Sequence, residues 1–278
     1  MKKNLIFALL FAPILLLGQT RIKDKQEVYG TWKKSGSPYI IEGEAIVPVG
    51  KTLKIKPGVI ILFQTGEERD YRIESEINNK FNVGFLRVKG NIIAEGKKND
   101  QIKFDGYGNG TWGNVMLEES TGNVFKYCYF TDSYYMRSVT EKDNATGAIS
   151  FLASDGIVEF CIFANNGWTA INCKNESKPI LRNLTIVGNN YGIECNSSSN
   201  PIIQNIILWD NKTAFYFNGG SKPSITNSCL QDEEFPSEAV DLENNILGKD
   251  PEFVNAKDND YSLQKSSPCA GKKMGAKL

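Results

Sequence analysis

Nine residues between positions 71 and 143 carry side chains suited to holding a ligand: Tyr71, Arg72, Tyr107, Trp112, Tyr134, Tyr135, Arg137, Lys142 and Asp143. The aromatic rings offer flat apolar faces on which a sugar ring can stack. The arginines, lysine and aspartate offer charge-assisted hydrogen bonds to hydroxyls and carboxylates. Arg69 and Phe81 belong to the same group. Other chemistry is excluded by what the chain lacks. With no histidine in 278 residues, a serine–histidine triad, a histidine metal site and a histidine general base are ruled out. No Cys-x-x-Cys pair and no aspartate cluster with calcium-loop spacing occurs, so neither a metal nor a cofactor is expected. Lysine plus arginine number 32 and aspartate plus glutamate 32, which argues against nucleic acid or an anionic membrane surface as partner.

These residues gain meaning from a repeat further along. Between Lys178 and Leu230, Pro179, Pro201 and Pro223 recur every 22 residues, and Asn183, Asn205 and Asn227 keep the same step. Leu181, Leu184, Ile186 and Asn189 are matched by Ile203, Ile206, Leu208 and Asn211. Traced backwards, the column runs through Phe125, Cys128, Phe130, Ser133 and Val158, Cys161, Phe163, Asn166. A second column alternates with the two-residue period of a strand: Val115/Leu117, Ile149/Phe151, Ile171/Cys173, Ile193/Cys195 and Phe215/Phe217. Self-similarity at such a period marks a solenoid whose coils bury their apolar faces only by stacking. The rival is a leucine-rich repeat, which Leu181 to Asn189 imitates. That family needs an apolar residue two positions after the asparagine, where this chain has Tyr191 and Thr213, and it lacks a second strict strand. The expectation is therefore all-β: a single-stranded right-handed parallel β-helix of about nine coils, roughly 22 residues each, about 45 Å long at a coil spacing of about 4.8 Å.

The regular coils serve as a ruler for the earlier ones. From Ile186 to Ile193 the connection between columns is short, whereas Phe63 to Leu86, Phe104 to Val115 and Phe130 to Ile149 are long. All three expansions fall at one corner on neighbouring coils, and they contain the nine residues named above. Insertions gathered on one face of a repeat protein commonly form its binding surface. The alternative is that the loops only pack against the rod. A binding face requires them to converge.

The boundaries follow. Lys2 and Lys3, an apolar run from Leu5 to Leu17 and a small residue at Gly18 read as a signal peptide over 1–18, with export to the periplasm or the cell exterior. Residues 19–38 are expected as a lead-in and cap, 39–247 as the β-helix and 248–278 as a C-terminal capping segment. Later apolar stretches are too short to span a membrane. Asn-x-Ser/Thr at Asn144, Asn175, Asn183, Asn196 and Asn211 reads as turn chemistry. Lys126, Glu159 and Arg182 on successive coils read as a surface charge ladder. Of the six cysteines, Cys128/Cys161 and Cys173/Cys195 share inward columns and read as buried thiols, with disulfides within either pair the alternative. Cys229 faces outward by alternation, and with Cys269 in the closing segment it could be bridged.

Three passages carry a family resemblance: Ser37-Pro38-Tyr39 through Lys56-Pro57-Gly58 to Phe63, Trp112-Gly113-Asn114-Val115, and Asp250-Pro251-Glu252-Phe253 on to Ser266-Ser267-Pro268-Cys269-Ala270-Gly271. They resemble the opening coil, the recurring Trp-Gly step and the closing segment of secreted bacterial β-helix proteins of the pectin-lyase-like superfamily. The resemblance implies a polysaccharide or cell-surface glycan as partner. Polysaccharide lyases of that superfamily use arginine or lysine as base, so Arg137, Lys142 and Tyr134 would be the catalytic candidates, with Asp132 and Asp143 near them. Calcium would enter only with such a lyase-like activity on uronate-containing glycans. The family's Gly-His-Gly element cannot exist here, so the resemblance reaches the coils and stops short of catalysis. The expected role is carbohydrate binding or surface interaction, with a lyase-like enzyme and a purely structural or adhesive rod as alternatives.

Overall fold

The structure is a computed structural model describing residues 18–66, 72–73, 83–134, 137–138 and 145–276, with backbone alone for Arg72–Ile73 and Arg137–Ser138. Short strands wind into stacked coils and line up as three long parallel sheets. Sheet 1 has ten strands, running from Thr20–Ile22 through Ile60–Gln64, Ile102–Tyr107, Cys128–Thr131 and Thr185–Val187 to Ile246–Leu247. Sheets 2 and 3 have eight each, from Gln26–Glu27 to Thr213–Phe217 and from Gly30–Trp32 to Ser224–Thr226. Coils are numbered by their sheet 1 strand. Helix among the described residues is limited to short 3-10 turns such as Lys34–Gly36 and Ala256–Asp258, and none is long and apolar enough to cross a membrane.

The sequence resolves two columns where the fold has three sheets. Leu181-x-x-Leu184-x-Ile186 looks like one element, but Leu181 belongs to sheet 3 and Ile186 to sheet 1. Between the sheets the chain turns on Asn183, at φ 54°; Asn205 and Asn227 repeat the turn at 55° and 51°. Asparagine tolerates the left-handed conformation better than other side chains. Tyr127 and Phe160 hold the same corner on the two preceding coils, at 49° and 54°. Their rings stack at 5.0 Å beneath the Lys126 ammonium.

Inside, Phe104, Phe130 and Phe163 stack at 4.4 and 4.7 Å. Aliphatic columns continue them, such as Ile149, Ile171, Ile193 and Phe215 in successive register. Polar residues form their own ladders at the other corners. Asn166 donates from its backbone N–H and from Nδ2 to Asn189 Oδ1 at 3.0 and 2.8 Å, and Asn189 does the same to Asn211 at 3.0 and 2.8 Å. Between sheets 2 and 3, backbone N–H groups of Ser120, Ser154, Ser177 and Ser199 each donate to the serine hydroxyl of the next coil. The 22-residue step satisfies these buried polar groups by bringing like residues into contact.

Outside, Glu159 lies 3.4 Å from Lys126 Nζ and 3.1 Å from Arg182 Nε, the latter without hydrogen-bond alignment. Because Lys126 and Arg182 are solvated, Glu159→Gln is expected to lower stability by only about 0.5–1 kcal/mol, and less at high salt. Chemical denaturation at two ionic strengths checks this; a loss that salt leaves unchanged contradicts a surface ladder.

Both ends differ from the sequence expectation. Residues 19–38 are mostly a coil in their own right: Thr20–Ile22, Gln26–Glu27 and Gly30–Trp32 pair with the next coil in all three sheets. At the C-terminal end Phe235, Ala239 and Leu247 pack on the last core layer. The segment after 248 instead folds back along the outer face of sheet 1. There Tyr261 and Ala276 cover Ile162, Ala164 and Val187, and Cys269 and Met274 cover Ile207 and Cys229. Gly275 N–H donates to Asn205 O at 2.8 Å, where a Cβ would meet Ile207 Cδ1 at 2.8 Å. Outward apolar residues on sheet 1 are thus a second packing surface, invisible to alternation.

Candidate functional site

The long connections leave the corner between sheets 1 and 2 on coils 3, 4 and 5, and they converge. Strands Arg72–Ile73 and Arg137–Ser138, from the first and third, pair in parallel with Arg137 opposite Arg72. At their bases the loops are tied to the middle one. Gly66 N–H donates to Thr111 O at 3.1 Å, Trp112 N–H to Asp132 O at 3.0 Å, and Tyr134 N–H to Trp112 O at 2.7 Å. Val83, Phe85, Met116, Ala145 and Leu152 form a small apolar cluster against which Tyr134 packs. The loops therefore pack on the rod and converge at once.

Of the sequence candidates, Tyr71, Tyr135, Lys142 and Asp143 lie outside the described residues. Arg72 and Arg137 are placed as register partners. Tyr107 is exposed, with the Arg21 guanidinium 5.7 Å from its ring centroid. Trp112 corrects the expectation of a surface ligand residue. It is fully buried, stacked at 4.1 Å on Phe63 and donating from Nε1 to Thr131 O at 2.6 Å. Its ring fills the core where the middle loop re-enters the coil, so it presents no face to a ligand.

Tyr134 opens a feature that the loop lengths do not reveal. Its ring lies 6.0 Å from Trp168, Trp168 lies 5.6 Å from Tyr191, and Tyr191 lies 6.0 Å from Tyr216. One aromatic residue from each of coils 5 to 8 builds a continuous row along the rod. Tyr216 is 47% exposed, and the other three are half-buried. The signal was present: Trp168 and Tyr191 lie 23 positions apart, close to the repeat. It was missed because they fall in the short connections, which look unremarkable by length. Beside the row Glu194 accepts from Thr146 Oγ1 at 2.6 Å, Thr169 Oγ1 at 3.2 Å and Asn196 Nδ2 at 2.7 Å. Nearby on sheet 2, the buried Asn172 has no partner for Oδ1.

Elsewhere, a cleft of ≈ 460 Å³ lies between sheet 1 and the returning C-terminal segment, lined by Lys103, Asp105, Tyr129, Thr131, Asp132 and Asn259 among others. Partial desolvation and the neighbouring Asp105 charge push the Asp132 carboxyl up. Burial pushes the Tyr129 hydroxyl up, reinforced by Tyr261 and the two aspartates. Among the described residues no group of three or more Cys, Asp or Glu is placed to hold a metal ion.

With three parallel sheets, stacked coils and side-chain ladders established, the comparison with protein families is decisive. The model for the right-handed β-helix region matches residues 108–262, more than half of the chain. The protein belongs to the right-handed β-helix family. No curated protein and no solved structure matches the chain. Membership accounts for the coils; the aromatic row and the insertions belong to this chain's own side chains.

Proposed function

We propose that this β-helix protein is exported through its leader and binds a polysaccharide along the corner between sheets 1 and 2. The supporting observation is the aromatic row Tyr134–Trp168–Tyr191–Tyr216, which begins where the converged loops end. Rings set one per coil match a ligand that is itself a repeating chain of rings, since each residue can stack a sugar face while its hydroxyls reach polar side chains. Glu194, half-buried on sheet 2, provides a carboxylate acceptor beside the row. The backbone register of Arg72 with Arg137 suits an anionic sugar at the loop end.

The test is affinity electrophoresis and a glycan array with neutral and uronate-containing polysaccharides. Trp168→Ala and Tyr216→Ala are each expected to weaken binding by roughly tenfold, the scale of losing one aromatic contact at an interface. The thermal midpoint of Tyr216→Ala should stay unchanged. Binding that neither substitution alters refutes the row as the site, and a blank array favours the structural rod. Ultraviolet detection of unsaturated uronates in the same incubations tests the lyase-like alternative. Product formation lost on Arg137→Ala would overturn the non-catalytic reading.

A further inference from the structure

We propose that Cys229 and Cys269 form a disulfide that fastens the returning C-terminal segment to the side of the rod. Cys229 sits in the sheet 1 strand Cys229–Leu230, where Leu230 joins the core and Cys229 points away from it. By alternation that thiol should meet solvent, yet it is fully buried because Cys269 and Met274 lie over it. Both cysteines, held as free thiols, belong to one apolar cluster flanked by Trp209, Ile246, Phe253 and Leu263.

The other cysteines contrast with this pair. Cys173 and Cys195 are register partners on adjacent parallel strands. Their side chains therefore point the same way about 4.8 Å apart, beyond the Cβ separation of about 3.5–4.5 Å that a disulfide needs. Cys161 Sγ accepts from Cys128 N–H at 3.4 Å and lies 3.5 Å from Phe125 O, so stacking already satisfies it. Cys229 and Cys269 come from segments that meet face to face, and their join would close the loop between the last coils and the segment.

The oxidant is a small-molecule or protein disulfide. Before the segment docks, the Cys229 thiolate attacks one oxidant sulfur, expels the other as a thiolate and becomes a mixed disulfide. Cys269 then arrives with the segment. Ser267, whose hydroxyl lies beside it, and the Lys272 charge favour its thiolate. Its thiolate attacks Cys229 Sγ and releases the oxidant's second sulfur. Two protein thiols are oxidised and one disulfide is reduced to two thiols.

The test uses the full chain refolded with oxidised glutathione, then denatured and alkylated without reductant. Four of the six cysteines should be alkylated, with one cross-linked peptide pair joining Cys229 to Cys269. Cys269→Ser should leave every remaining cysteine alkylated. As a measurement free of any variant, limited proteolysis should cut within residues 249–276 at least tenfold faster after reduction of the wild-type protein. Six alkylated cysteines, a different pairing, or cleavage indifferent to reduction each overturns the proposal. None of these outcomes depends on glycan binding.

Discussion

Phe130→Ala is expected to destabilise the protein by about 3–5 kcal/mol, the cost of emptying a large aromatic site in a packed core. Phe130 is fully buried, stacked on Phe104 at 4.4 Å and on Phe163 at 4.7 Å, with the Phe125 edge at 5.9 Å. The neighbours cannot close the gap. Their backbones are held by the parallel ladder through Phe104, Phe130 and Phe163, which sets the coil spacing whatever the side chain. Phe130→Leu should lose roughly half as much, since it keeps part of the volume. Guanidinium unfolding measures the loss, and hydrogen exchange should localise it to coils 4 to 6, because a solenoid repeat contacts only its neighbours. A loss below about 1 kcal/mol would mean that the stack relaxes and that coil spacing does not govern packing.

Asn189→Ala is expected to cost about 3 kcal/mol, by the unmet polar groups it leaves rather than by volume. Asn189 Oδ1 accepts from the backbone and the side chain of Asn166, and Asn189 Nδ2 donates to Phe163 O at 3.1 Å and to Asn211 Oδ1 at 2.8 Å. Alanine strands these partners in a site where Asn166, Asn189 and Asn211 are all at least 95% buried. Asn189→Ser should cost less, since coil 5 already uses Ser133 in this ladder, donating from N–H and Oγ to Asn166 Oδ1. The two variants compared in one denaturation series decide the matter. Equal losses would show that volume, not hydrogen bonding, sets the cost.

Both predictions concern residues that the repeat exposes, which is why they were legible beforehand. Phe130 and Phe163, like Asn189 and Asn211, recur at a fixed step because each must touch its own counterpart in the next coil. Trp112 was misread for the complementary reason. It lies in an irregular connection with no counterpart to compare, and composition alone cannot say whether a loop tryptophan faces solvent or turns back beneath Phe63. Cys229 shows the same limit. Alternation fixes which way a side chain points from its own sheet, and has no access to a segment that returns from many residues later to cover it.

Period and alternation alone thus determined the all-β solenoid, its inward columns and the corner at which three coils are enlarged, because stacking imposes the same local contact again and again. Only the tertiary structure decided that the enlarged loops pair through Arg72–Ile73 and Arg137–Ser138. It also decided that aromatic residues of four coils align beside them, and that the closing segment lies along the flank. Those features arise where distant segments meet once, and a contact made once leaves no period in the chain.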